Sequence, residues 1–126
     1  LQDLKDGNYI PENSTILDLG TNTGITAVVM AKLFPTVQII GVEPVPHNYA
    51  TALANIALNK VSDRVHILNA GLSSDVIKPL LMRYSIQNPG CSTSHYQNFL
   101  RGKCGRKGLR NFWIHTITVE EIFKHF

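Results

Sequence analysis

Short apolar runs alternate with segments of helical periodicity along the first part of the chain. The runs are "TILDLG", "VQIIGVEP" and "RVHILNAGLS", at residues 15–20, 37–44 and 64–73. Their length and their Gly, Pro or Ser ends are typical of buried strands. The segments between them, residues 26–34 and 47–60, carry apolar side chains at helical spacing. This order predicts right-handed crossovers and a parallel sheet.

Apolar spacing also predicts which residues of each helix face the core. In the first helix they are Ala27, Met30, Ala31 and Phe34, and Pro35 ends the helix. In the second they are Tyr49, Leu53, Ile56 and Ala57.

The pattern changes after Ser74. Residues 76–84 indicate a strand in which Pro79 favours an edge position, and residues 86–111 read as a long basic, Gly-rich loop. Residues 111–119 indicate another strand, and Thr118 can cap a helix that follows it. We therefore expect one α/β domain over residues 1–126. It should be a Rossmann-like, doubly wound, mostly parallel sheet with helices on both faces, incomplete at its C-terminal end.

Charge is concentrated in one segment. The chain of 126 residues carries a net charge of +3, and residues 101–110, "RGKCGRKGLR", hold five basic side chains and no acid, so the remainder is 3 − 5 = −2. This segment can be a solvated loop, a clamp for an acidic substrate or a nucleic-acid contact. Phe99, Phe112 and Trp113 flank it and could stack on bases. Strand-like alternation nevertheless favours the core for these aromatic residues.

Two cysteines and the absence of a long apolar run indicate the compartment. Cys91 and Cys104 lie 13 positions apart, which fits no common zinc pattern, so we predict free thiols, no metal site and a cytoplasmic location. A disulfide that closes a loop between them is the alternative. No apolar run approaches the length of a membrane span. Because the sequence starts at Leu1, we expect residues to precede it.

The loop after the first strand contains the candidate binding residues. A dinucleotide fingerprint would need glycine at positions 20, 22 and 25, and only Gly20 satisfies it. The loop instead reads D-x-G-x-N-x-G, with Asp18, Gly20, Asn22 and Gly24. Glycines let a ligand approach the backbone, and an acid can order the loop or face an ammonium group. A zwitterionic amino acid joined to a nucleoside suits this loop better than a pyrophosphate.

Two further segments follow the next strands. Glu43, before Pro44, is 19 positions after Gly24 and can accept both hydroxyls of a ribose, which does not separate NAD from S-adenosylmethionine. Asn69, with Ala70 and Gly71 behind it, lies where an adenine edge could be read. Each residue also has a structural alternative: a turn-capping acid, turn glycines, an exposed strand end at Glu43 and a capped turn at Asn69.

The ordered segments resemble the FkbM family of class I S-adenosylmethionine-dependent methyltransferases. The resemblance rests on "ILDLGTNTG", "GVEPVPHNYATALANIALN", "VHILNAGLSSD", "NPGCSTS" and "ITVEEIF", in that order. It implies methyl transfer to a hydroxyl oxygen of a small molecule or sugar, and it implies that Ser92–Ser94 lie near the donor or acceptor. The cofactor-binding residues it implies are Asp18, Gly20, Thr21, Asn22, Gly24, Glu43, Pro44, Asn69, Ala70 and Gly71. An Asp-x-Glu-Gly-like segment, which family members carry after the last helix, is missing.

No residue is assigned to catalysis. A hydroxyl acceptor needs a general base, and His47, His95 and His115 are candidates without a motif. Competing functions are a nucleic-acid methyltransferase or RNA/DNA-binding module that uses residues 101–110, a nicotinamide-binding domain, and a remnant that binds the donor without catalysis.

Overall fold

The computed structural model describes residues 9–74, 79–85, 88–93 and 109–126, with the backbone alone for 88–93. The strands are β1 Thr15–Leu19, β2 Gln38–Val42, β3 Val65–Leu68, β4 Gly71–Leu72, β5 Leu80–Ser85, β6 Asn88–Thr93, β7 Leu109–Ile114 and β8 Thr116–Ile117. The helices are α1 Ile25–Leu33, α2 Pro46–Leu58 and α3 Val119–His125. The cysteine prediction and the basic segment up to residue 108 lie outside the described side chains.

A parallel sheet in the order β1-β2-β3 forms the centre of the fold. Alternate side chains of β2 point to opposite faces, so Ile39 packs with α1 and α2 while Ile40 packs with Ile122 of α3. Both isoleucines are buried, and full burial of such a side chain contributes about 1.5–3 kcal/mol. The predicted α/β, Rossmann-like architecture with helices on both faces is therefore confirmed.

The two crossover helices begin and end close to the predicted bounds. In α1 the Phe34 N–H donates to the Met30 carbonyl, and Pro35 then prevents a further turn. The predicted face of α2 is wrong in part: Leu53 is 42% exposed and Ala57 is also exposed, while Ala52 is buried. Relative to the prediction, α2 is rotated so that Ala52 packs closely against Gly24. Any side chain at position 24 would prevent this approach.

The predicted third strand is two strands. β3 ends at Leu68, the Ala70 N–H turns back to the Leu68 carbonyl, and β4 pairs in parallel with β8 in a separate small sheet. The strand predicted over residues 111–119 is likewise divided at His115, whose carbonyl accepts from the Gly71 N–H. Sequence periodicity did not reveal either break because both halves keep strand-like alternation.

A three-stranded antiparallel sheet, ordered β6-β5-β7, corrects three expectations. β5 is its central strand rather than an edge, because Pro79 precedes the strand and removes no hydrogen bond from it. The predicted loop over residues 86–111 contains β6 and the start of β7. Trp113, expected in the core, is 70% exposed. Among the described residues, no helix is long and apolar enough to cross a membrane.

Candidate functional site

The loop from β1 to α1 runs through three residues with left-handed backbone conformation. Gly20, Asn22 and Gly24 have φ values of 81°, 54° and 77°. The Gly20 and Thr21 N–H groups both donate to the Val42 carbonyl, which holds the loop against the end of β2. The buried Thr21 hydroxyl donates to the Asp18 carbonyl at 2.7 Å. The loop is thus set by backbone contacts rather than by its side chains alone.

The two glycines of this loop have different physical roles. A Cβ at Gly20 would meet no described atom within 4 Å, so the space beside it is open to a ligand. A Cβ at Gly24 would lie 2.9 Å from the Ala52 Cβ, so Gly24 allows the start of α1 to approach α2. The structural alternative therefore accounts for Gly24 better than for Gly20.

Glu43 is a buried carboxylate that joins two loops. It is 4% exposed, so the alternative of an exposed strand end is wrong. Its Oε2 accepts from the Asn22 N–H at 2.8 Å, and its Oε1 accepts from the Val45 N–H at 2.9 Å and from the Asn48 amide at 3.3 Å. A carboxylate offers about four acceptor positions, so the three donors among the described residues leave one position on Oε2.

Asn69 connects the end of β3 to the end of β2. Its side-chain amide donates to the Glu43 carbonyl at 2.9 Å and to the Pro44 carbonyl at 3.4 Å. Ala70 and Gly71 are buried behind it, and a Cβ at Gly71 would lie 2.5 Å from the Ile114 Cδ1. Asn69 is exposed, and its amide oxygen accepts no hydrogen bond from the residues that the structure describes.

Asp18 is the acid at the start of the glycine loop. Its Oδ2 is buried and has no hydrogen-bond partner among the described residues. Burial raises the pKa of Asp18, and the neighbouring Thr21 offsets only part of that rise. The carboxylate borders a cavity of about 250 Å³, whose other lining residues are Ile16, Leu17, Thr26, Ala27, Met30 and Ile39. An ammonium group would supply the missing donors there, so the donor set fits an amino-acid ligand.

The predicted residues meet at one edge of the sheet. The segments that follow β1, β2 and β3 lie at its carboxyl ends and are joined through Glu43 and Asn69. Of the histidine candidates, His47 and His115 are exposed and His95 lies outside the described residues. Of Ser92–Ser94, only the backbone of the first two is described, in β6.

Sequence reasoning missed two amides of α2. Asn48 donates to Glu43, and Asn55 donates to the Thr23 carbonyl of the glycine loop at 2.8 Å. They are seven positions apart and therefore share one face of the helix. That spacing, on a helix otherwise apolar towards the core, was the available signal.

Comparison with known proteins agrees with this arrangement. The family model described as protein-L-isoaspartate(D-aspartate) O-methyltransferase (PCMT) matches residues 3–72. Methyltransferase sdnD of Sordaria araneosa is 36% identical over 84 residues, which are 67% of this chain and 32% of that protein. A tRNA1(Val) (adenine(37)-N6)-methyltransferase of Porphyromonas gingivalis is 34% identical over 65 residues, which are 52% of this chain and 26% of that protein.

A solved structure shows the same fold. The StiE O-MT structure of residues 942–1257 superposes with a TM-score of 0.50 at 10% identity, covering 64% of this chain and 29% of that one. The chain spans about a third or less of each of these proteins. The cofactor of the matched class is S-adenosylmethionine, as the sequence predicted. The chain belongs to the PCMT family, and with it to the class I S-adenosylmethionine-dependent methyltransferases.

Proposed function

We propose that the loops at the carboxyl ends of β1, β2 and β3 bind S-adenosylmethionine, and that the protein transfers its methyl group to a hydroxyl oxygen. The observation that carries this proposal is the buried Oδ2 of Asp18, which has no hydrogen-bond partner among the described residues, two positions before the open space at Gly20. The residues proposed for the methionine end are Asp18, Gly20, Thr21, Asn22 and Gly24. Those proposed for the nucleoside are Glu43, Pro44, Asn69, Ala70 and Gly71.

The methionine end is assigned by charge. A buried acceptor without a donor is costly, and its cost is removed when a ligand supplies the hydrogen bond. The ammonium group of an amino acid supplies up to three such donors and an opposite charge. Asp18 therefore favours an amino-acid ligand over a pyrophosphate, which it would repel.

The ribose is assigned to Glu43. The remaining acceptor position on Oε2 can take one ribose hydroxyl as the structure stands. To accept a hydrogen bond from a second hydroxyl, Oε2 must release the Asn22 N–H. Asn22 has a positive φ, and its N–H can then turn towards the ligand. Asn69 holds the Glu43 main chain while this exchange takes place.

The residues of this chain would act mainly by positioning. When bound, the cofactor would supply a methyl group activated by its sulfonium sulfur. The three loops would hold and orient the donor so that its methyl group faces the acceptor. His47 and His115, both exposed, stay candidates for the base that takes the acceptor's proton.

The acceptor is proposed from the sequence resemblance. The ordered FkbM-like segments favour a hydroxyl of a small molecule or sugar, and the matched family is described as transferring to oxygen. The chain spans 32% of sdnD, so we propose both the activity and the acceptor for the protein as a whole. The cytoplasmic location also stays a prediction.

Calorimetric titration with S-adenosylhomocysteine tests the site. We expect one-to-one binding, weakened about tenfold or more by Asp18→Asn, which removes the charge facing the ammonium group. Asp63→Asn is the matched control, because its side chain is exposed on the surface. Methylthioadenosine, which lacks the amino-acid part, should bind both variants alike, whereas Glu43→Ala should weaken both ligands. A folded protein that binds neither ligand would refute the proposal.

A nucleic-acid acceptor is the second candidate function. The resemblance to a tRNA methyltransferase and the +5 segment at residues 101–110 favour it. Binding to a tRNA should then weaken steeply between 50 and 200 mM salt, as phosphate contacts release counterions. Neutralising Arg106 and Lys107 together should flatten that dependence. An absence of tRNA binding at low salt would remove this candidate.

A further inference from the structure

Asn48 occupies a position where an apolar side chain would be expected. It lies on the same face of α2 as the buried Ala52 and Ile56, four and eight positions further on, and is itself 3% exposed. A polar group buried this deeply needs a partner, or its desolvation is not compensated. Its side-chain amide donates to the Oε1 of Glu43 at 3.3 Å.

The surroundings of Glu43 show what this amide adds. The Val45 N–H also donates to Oε1, so two donors hold that oxygen at the start of α2. With Oε1 held, Oε2 is directed towards the glycine loop, where it accepts the Asn22 N–H. Without Asn48, a single backbone donor would remain on Oε1, and the carboxylate could rotate away from the loop.

We propose that Asn48 is a positioning residue for the cofactor's ribose, which acts through Glu43. It fixes the carboxylate so that Oε2 faces both the Asn22 N–H and the hydroxyl that the nucleoside presents. This inference rests on the proposed function, because Glu43 is taken to hold the ribose. Asn48 itself need not touch the cofactor.

A ligand-free measurement tests the first half. We expect Asn48→Ala to raise the hydrogen-exchange rate of the Asn22 amide about tenfold, since its acceptor is no longer held in place. Asn59→Ala is the matched control, because Asn59 ends the same helix and bonds to the Asn55 carbonyl. In the Asn59→Ala variant, the Asn22 amide should exchange as fast as in the wild type. Unchanged exchange in Asn48→Ala would overturn the proposal whatever the cofactor does.

A comparison of two ligands tests the second half. Asn48→Ala should weaken the binding of S-adenosylhomocysteine about tenfold, yet leave the affinity for its 2′,3′-dideoxy analogue unchanged. That analogue has no ribose hydroxyl that could donate a hydrogen bond to Glu43. In a Glu43→Gln background, Asn48→Ala should add no further loss. Equal losses for both ligands, or additive losses in the double variant, would show a merely structural role and overturn the proposal.

The two proposals fail in distinguishable ways. If the folded wild-type protein does not bind S-adenosylhomocysteine, the proposed function is wrong and the ribose role of Asn48 is wrong with it. If the wild type binds normally and Asn48→Ala affects both ligands alike, the proposed function stands and only the role of Asn48 is refuted.

Discussion

Replacing Gly24 by alanine should destabilise the protein through two separable effects. The first is backbone strain, because Gly24 has a φ of 77°, and a left-handed conformation costs an L-residue about 1–2 kcal/mol. The second is steric. The added Cβ would lie 2.9 Å from the Cβ and 3.1 Å from the Cα of Ala52, within a buried helix contact. Such overpacking costs about 1–3 kcal/mol, so the expected total is about 2–5 kcal/mol.

Gly20→Ala separates these effects. Gly20 has nearly the same φ, 81°, but its Cβ would meet no described atom within 4 Å. Strain alone should act there, so we expect a loss of about 1–2 kcal/mol. Both substitutions reduce the freedom of the unfolded chain in the same way, so that contribution cancels in the comparison. The difference between the variants therefore reports the contact with Ala52.

Urea denaturation measures both changes as shifts of the midpoint at constant slope. A double variant, Gly24→Ala with Ala52→Gly, removes the Ala52 Cβ, the closer of the two contacting atoms. Its loss of stability should be about 1–2 kcal/mol smaller than the sum of the losses in the two single variants. The backbone strain would remain. If Gly24→Ala cost no more than Gly20→Ala, or if the double variant showed no coupling, the assignment of Gly24 to helix packing would be refuted.

Two further predictions concern stability at other sites. Because burial raises the pKa of Asp18 above 3.8, the folded state holds its proton more tightly than the unfolded state, and stability should fall as pH rises from that value through the folded pKa. Asp18→Asn should remove this fall in urea titrations across that range, and an unaltered pH profile would contradict the burial argument. Thr118→Ala should cost about 1 kcal/mol, because the Thr118 hydroxyl accepts the Glu121 N–H at the start of α3. Thermal melts should show Thr118→Ser close to the wild type, and equal losses in both variants would argue against the cap.

Much of the candidate site could be read from local patterns. The residues after β1, β2 and β3 follow strands of one parallel sheet, so their convergence at its carboxyl ends is a consequence of topology. The difference between Gly20 and Gly24 was not readable, because it depends on what stands opposite each Cα. Asn48 and Asn55 were missed for the same reason, since their partners lie on other elements.

The second half of the chain shows where local patterns stop being informative. Alternation at residues 111–119 predicts a strand but not that it divides at His115 between two sheets. Pro79 signals a strand edge only when it lies inside the strand, and here it lies just before β5. Trp113 was expected in the core, yet its neighbour across the ladder is Leu81, and both are exposed.

The sequence by itself determined the order of β1, α1, β2, α2 and β3, the parallel central sheet and the glycine loop. Each of these depends on residues close in the chain: apolar periodicity, Pro35 and the left-handed backbone at Gly20. Only the tertiary structure decided that Glu43 is buried with three donors and that Oδ2 of Asp18 has none among the described residues. Burial and hydrogen bonding are properties of the groups that folding brings together, and the donors to Glu43 come from both the glycine loop and α2.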